Sequence, residues 1–320
     1  MIRRRFLAVS IPFALAARAA VPPGAGAAVS YTSFEGKKVS LFPWRGKRMV
    51  FLTKSDAHDP EVMAALCGVF DKVHDFYHEA TGRLPEKAKE LDGLITVAEV
   101  DQTCGAACGY LGATGIELTP GVFVELYGGW QKDQSVDQAL PYEFGRNFWF
   151  YSPQLAYQKP VSDRSVVTGY AVFMRLMALD AAGAKLGPFR DRTGSEFRAI
   201  MESLVDLHEA DPQSTWETTL KVDAAPENPL GLNGTDLFAS FCLRLARDHG
   251  GLKFVRRLWK EVAKLPAAAS TQEAVDHFVI AASAAASTDL APLFTKRWRW
   301  PVSPVGEKAA AAAAANASKP

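Results

Sequence analysis

Tyr142-Glu143-Phe144-Gly145-Arg146-Asn147-Phe148-Trp149 follows Pro141 and opens a stretch that is almost wholly helical to the end of the chain. Read as a helix over 136–151, this run sets Glu143 and Arg146 three residues apart, where side chains meet on one helical face. A carboxylate and a guanidinium thus pair within an otherwise apolar segment. Phe148-Trp149-Phe150-Tyr151 is apolar all round, so its default place is the core, with a platform for sugar rings as the alternative. Downstream, 164–182, 196–209, 237–249, 252–265 and 272–286 show helical periodicity, punctuated by Pro153, Pro160, Pro188, Pro212, Pro226 and Pro229.

Upstream the pattern changes. Val29-Ser30-Tyr31-Thr32, Val39-Ser40-Leu41-Phe42 and Met49-Val50-Phe51-Leu52-Thr53 are short β-prone runs broken by turn residues. Pro60 opens an amphipathic helix carried by Val62, Leu66, Val69, Val73 and Phe76 and stopped at Gly82. Leu94-Ile95-Thr96-Val97-Ala98-Glu99-Val100 is the strongest strand and is expected to be central. Ile116-Glu117-Leu118 is expected at the sheet edge. The fold class is α+β: a small N-terminal mixed β-sheet with helices, followed by a mostly helical C-terminal lobe. The expected divisions are a signal peptide at 1–28, a β-rich part at 29–132, a helical part at 133–306 and a disordered tail at 307–320.

The signal peptide rests on Arg3-Arg4-Arg5 in a positive opening stretch ahead of the modest apolar run 8–17, with small residues following. The run is short of the ~20 apolar residues that span a bilayer, and no transmembrane anchor is expected. The protein is therefore expected outside the cytoplasm, periplasmic or secreted, by a Sec or a twin-arginine route. Removing that segment, with its four arginines and no acid, takes the formal charge from +1 to −3 (1 − 4). Near-neutral charge without a basic block gives no case for nucleic acid.

Cys104 and Cys108 bracket a glycine-containing loop and, in an oxidising compartment, are expected to form a disulfide; a cysteine nucleophile there is the minor alternative. Cys67 and Cys242 sit in apolar helical patterns as buried thiols. His74 and His78 share a helix face among Asp71, Lys72, Asp75 and Glu79 and read as that face rather than a metal site. There is no G-x-S-x-G elbow, dinucleotide fingerprint or P-loop. Trp298-Arg299-Trp300 suits either a surface that stacks on a ligand or a last strand packing back on the lobe.

Two segments together carry a resemblance. Residues 142–147 stand in the frame of H-E-x-G-H-N, and Thr168-Gly169-Tyr170-Ala171, beginning 22 residues after Arg146, is similar to the E-G-[FWY]-A segment of gluzincin-type metallopeptidases. The resemblance implies a zincin-like fold over roughly 49–302. In that family the two histidines and the later glutamate hold zinc, and the glutamate between the histidines activates the bound water. Here Glu143 remains, while Tyr142 and Arg146 take the histidine positions and Thr168 that of the third ligand. A permanent cation, a phenol and a neutral hydroxyl do not make a zinc site, so neither metal nor cofactor is expected. The expectation is an exported pseudo-metallopeptidase that binds an extracellular peptide, protein or glycan in the old cleft. Tyr142, Arg146, Asn147, Thr168 and Tyr170 would be the binding residues. One alternative is a zinc-independent hydrolase with Glu143 as general acid or base; another is a structural surface-interaction protein.

Overall fold

The computed structural model describes residues 24–318, so the expected signal peptide lies outside the described residues except for its last five positions. The chain opens with β1 (Val29–Thr32), β2 (Lys38–Arg45) and β3 (Met49–Thr53), then α1 (Pro60–Thr81), β4 (Glu90–Leu91), β5 (Leu94–Glu99), β6 (Ala107–Gly109) and β7 (Ile116–Leu118). The sheet order is β1-β2-β3-β5-β7-β6, with β4 alongside β5. β3, β5 and β7 are parallel, with α1 as the crossover between β3 and β5, while the outer pairings are antiparallel. Pleat alternation divides the strands cleanly. Met49, Phe51, Ile95, Val97, Ile116 and Leu118 face the main core, whereas Val50, Leu52, Ala98 and Val100 meet Tyr31 and Leu41 in a smaller cluster behind the sheet.

β5 is central, as its β-branched composition predicts. β7 is not the edge. Cys104 and Cys108 are bonded, with Cα atoms 5.5 Å apart, and the loop they close turns the chain back so that β6 pairs outside β7. Alanine, cysteine and glycine carry little β-propensity, so β6 leaves no mark in the sequence. Glu117 pins this corner. It is fully buried and accepts hydrogen bonds from Tyr31 Oη (3.1 Å), Phe34 N (2.6 Å) and Thr103 Oγ1 (2.8 Å). One carboxylate thereby ties the β1–β2 hairpin and the disulfide loop to β7.

The remaining helices are α2 (Pro120–Asp133), α3 (Ala139–Asn147), α4 (Ser152–Leu155), α5 (Arg164–Ala182), α6 (Gly194–Ala210), α7 (Gly234–Asp248), α8 (Leu252–Val262), α9 (Thr271–Ala286) and α10 (Pro304–Ala317). The helix expected over 136–151 is thus only nine residues long, and α2 has no counterpart in the sequence reading. Asp59 caps α1 by accepting from the amides of Glu61 and Val62, and Gly82 closes it in the left-handed region at φ 69°. Among the described residues α5 alone is long and apolar enough to cross a membrane, yet most of it is buried inside the fold; it is a core helix packed on α1, α3 and α7. The apolar core is continuous from Trp44 in β2 to Ala310 in α10, across the expected division at 132–133.

Two expectations about the C-terminus are corrected. Trp298 and Trp300 form neither a ligand surface nor a strand: they are 0% and 3% exposed, packed among Phe241, Phe278 and Phe294 after a short π-helical turn. The 307–320 tail is not disordered over its described part. Ser303 caps α10 by accepting from Gly306 N and is itself held by Asp276 of α9, which accepts from Ser303 N at 2.8 Å and Oγ at 2.5 Å. Ala310 and Ala314, one turn apart, are buried against the fold. Alanine has the best helix propensity and the smallest side chain, so this run both forms a helix and lies close against α9. Cys67 and Cys242 are buried free thiols, as expected.

Amide exchange across 307–314 should accordingly be slowed well beyond that of an unstructured tail; exchange at the intrinsic rate would contradict the docking. Glu117→Ala should cost about 3 kcal/mol in denaturant unfolding, because it strips a buried carboxylate from three donors, and Glu117→Gln should cost less.

Candidate functional site

α3 is held between two elements by two glycines. At Gly145 an added Cβ would stand 3.0 Å from Ala171 Cα on α5 and 3.0 Å from Tyr77 Oη on α1. At Gly109, in edge strand β6, a Cβ would meet the Glu143 carbonyl oxygen at 2.9 Å and its Oε2 at 3.0 Å. Helix and strand backbone are therefore in direct contact, with no room for a side chain between them. Tyr77 Oη also donates to Pro141 O at 2.8 Å, fixing the start of α3.

The residues at the motif positions serve this contact. Arg146 Nε donates to Gly109 O (3.1 Å), and Asn147 Nδ2 donates to Tyr110 O (2.9 Å) and Gly115 O (3.3 Å). Gly112 N donates in return to Arg146 O at 3.1 Å. Together they bind residues 109–115 onto the C-terminal half of α3. The expected pair exists, with Arg146 Nε 3.4 Å from Glu143 Oε2, but the guanidinium makes its hydrogen bond to Gly109 instead.

Glu143 is 6% exposed, and its Oε2 is buried without a hydrogen-bond partner among the described residues. Burial pushes its carboxyl up to about 7; the Arg146 charge and the Gly109 backbone pull the other way without prevailing. Desolvation, not the ion pair, dominates this site.

The other expected binding residues divide. Tyr142 is half-buried, and the Arg175 guanidinium lies 6.0 Å from its ring centroid. Thr168 is half-buried on α5, and among the described residues no hydrogen bond or ion pair joins it to Tyr142, Glu143 or Arg146. Asn147 and Tyr170 are corrected as ligand contacts. Both are fully buried, Asn147 on the loop carbonyls and Tyr170 donating to Phe148 O at 3.0 Å within the rings of Trp149, Tyr151 and Trp259. Phe148, Trp149 and Tyr151 are likewise core. Arg175 was missed as a partner. Its charge is disfavoured by burial and offset by Asp236, Tyr142 and Asp137, and its one sequence signal is a lone arginine amid the apolar stretch of α5.

Among the described residues no group of three or more His, Cys, Asp or Glu is arranged to hold a metal ion. His74 is buried edge-on to Phe148 with centroids 5.4 Å apart, and His78 is exposed, so the helix-face reading of that pair agrees with its placement.

No protein-family model and no curated protein matches the sequence. Solved structures do match in fold. A functionally unknown conserved protein from Bacillus anthracis str. Ames, solved as a mutant, superposes with a TM-score of 0.55 at 15% identity, over 85% of this chain and 51% of that one. The M60 catalytic domain of Clostridium perfringens ZmpC, in complex with the sialyl T antigen, superposes with a TM-score of 0.51 at 15% identity, over 86% of this chain and 49% of that one. The chain spans about half the length of these structures. The α+β architecture is zincin-like, and at such identity the likeness concerns the fold.

A carboxyl raised from 4.5 to about 7 binds its proton more tightly in the folded state. Its stabilising contribution is complete below pH 4.5 and is lost as pH rises through about 7, amounting to roughly 3 kcal/mol. Glu143→Gln should abolish that part of the pH dependence of unfolding and stabilise the protein at pH 8. Arg146→Ala should move the decline to higher pH. An unchanged stability profile in Glu143→Gln would place Glu143 in solvent.

Proposed function

We propose that this chain is an exported pseudo-metallopeptidase: a zincin-like module without peptidase chemistry that binds an extracellular peptide, protein or glycan. The supporting observation is the cover over Glu143. A carboxylate that activates water must reach both the water and the scissile carbonyl. Here the corresponding carboxylate faces the backbone of Gly109, with Arg146 bonded to the same residue. Arg146 brings a fixed positive charge to the place where zincins hold a divalent cation, and like charges in a buried site repel strongly.

The ligand is then held on the outer surface rather than in the old cleft, because the β6 segment fills the space above α3. Glycans are the class to test first, since the similar M60 domain was solved with a sialylated glycan. The hydrolase reading draws on a different observation, the raised Glu143 carboxyl near 7, a suitable range for a general acid or base. It requires residues 109–115 to lift from α3, breaking four hydrogen bonds.

Purified mature protein, equilibrated with Zn²⁺ and desalted, should retain no stoichiometric zinc and should leave peptides and O-glycosylated peptides uncleaved. On glycan and peptide arrays it should show saturable binding that Glu143→Gln leaves intact. Cleavage that disappears in Glu143→Gln would overturn this reading in favour of the hydrolase.

A further inference from the structure

The β2–β3 turn, the C-terminal half of α1 and the segment leading into β4 enclose a cleft of about 270 Å³. Lys47, Arg48, Lys87, His74 and His78 line it, against one lining carboxylate, Glu90. We propose that this cleft is a binding site for a phosphate or sulfate group, free or carried as an ester on a larger molecule. None of its lining residues belongs to α3, so the site stands apart from Glu143 and from the reading given to it.

The first argument is how the cations are held. Asp71 of α1 is buried and accepts from the amides of Lys47 and Arg48, both at 2.7 Å. Gly46 allows that approach, since a Cβ there would stand 2.7 Å from Asp71 Oδ1. Asp75 then takes Arg48 Nε at 2.8 Å and faces His74 Nδ1 at 3.5 Å. The acids of α1 thus fix the turn and the inner edge of the guanidinium from behind. Both terminal nitrogens of Arg48, the Lys47 ammonium and the His78 ring make no hydrogen bond or ion pair among the described residues. Lys87 is 3.5 Å from Glu90 with its side chain 80% exposed, a pair of little strength. A guanidinium held by its Nε and open at both Nη atoms is the fork that receives an oxyanion in two parallel bonds. A guanidinium already held at Nε also loses less freedom on binding.

The second argument is charge. The lining carries Lys47, Arg48 and Lys87 against Glu90, and Asp75 beside it answers Arg48 through Nε only. The open Nη atoms of Arg48 and the Lys47 ammonium are left to receive an oxyanion. Another arginine-rich cleft, between α5, α6 and α7, offers the contrast. There Arg198 is bonded to Asp180 and Glu202 and Arg244 to Asp206 and Glu209, so the terminal nitrogens of both are already taken.

The test uses the mature protein with inorganic phosphate, inorganic sulfate and a sulfated disaccharide, each titrated at constant ionic strength against sodium chloride. Amide shifts of Lys47, Arg48 and Gly93 and the His78 ring proton are followed by NMR. Saturable shifts confined to this cleft are expected, with affinity at least tenfold weaker in Lys47→Ala/Lys87→Ala, and a phosphate-induced rise in Tm that the double variant lacks. His78→Asn, at an exposed position, provides a second variant, expected to weaken phosphate without altering the fold. Disaccharide displaced by inorganic phosphate assigns the site to a carried ester; response to the inorganic ions alone assigns it to the free ion. Equal responses to chloride, equal affinity in the variants, or shifts centred elsewhere would overturn the site.

Discussion

The contact between helix 139–147 and the backbone of residues 109–115 is the constraint from which the rest of the architecture follows. Nine helical residues are too few to be stable alone, so α3 persists through what it touches. On one side Gly145 lets it meet α5 and Tyr77 of α1; on the other Gly109 lets it meet the sheet edge. Four hydrogen bonds, each worth about 1 kcal/mol net, hold the second contact and join the sheet layer to the helical layer.

That closeness determines the electrostatics. Glu117 and Glu143 are both buried, with opposite surroundings. Glu117 is met by three donors from two segments, the β1–β2 hairpin and the disulfide loop, and acts as a tie. Glu143 has a carboxylate oxygen with no donor, and the arginine beside it is bonded elsewhere. A carboxylate removed from water is stabilised only weakly by a cation at 3.4 Å, and burial raises the Glu143 carboxyl despite it. Arg146 fastens the strand over Glu143. Residues 143–147 thus hold the sheet edge to the helical layer.

The surface distributes its charge in a related way. Most arginines around the helical layer are paired, which suits a protein near neutrality. At the β2–β3 turn Asp71 is buried beneath the backbone of Lys47 and Arg48, whose side chains are exposed. Where a carboxylate sits relative to a cation thus decides whether a cleft is inert or open to an anion.

Periodicity and capping residues made the helices legible in the sequence. The 164–182 pattern coincides with α5, Pro60 and Gly82 mark α1, and the β-branched run at 94–99 is the central strand. The Glu143–Arg146 pairing and the Cys104–Cys108 bridge were likewise readable, because spacings of three and four residues keep partners within reach of each other. Tertiary structure alone decided the rest. Gly121, Gly128 and Gly129 weaken the helical signal of α2, and the small residues of β6 conceal the true sheet edge. The alanine-rich segment 304–317 docks because Asp276 holds its first turn and Ala310 and Ala314 pack against the fold. Gly109 covers Glu143 from 34 positions earlier in the chain (143 − 109). Local propensity depends on neighbours within one turn, whereas burial, and with it the protonation of Glu143, is imposed by residues remote in sequence that meet only once the chain has folded.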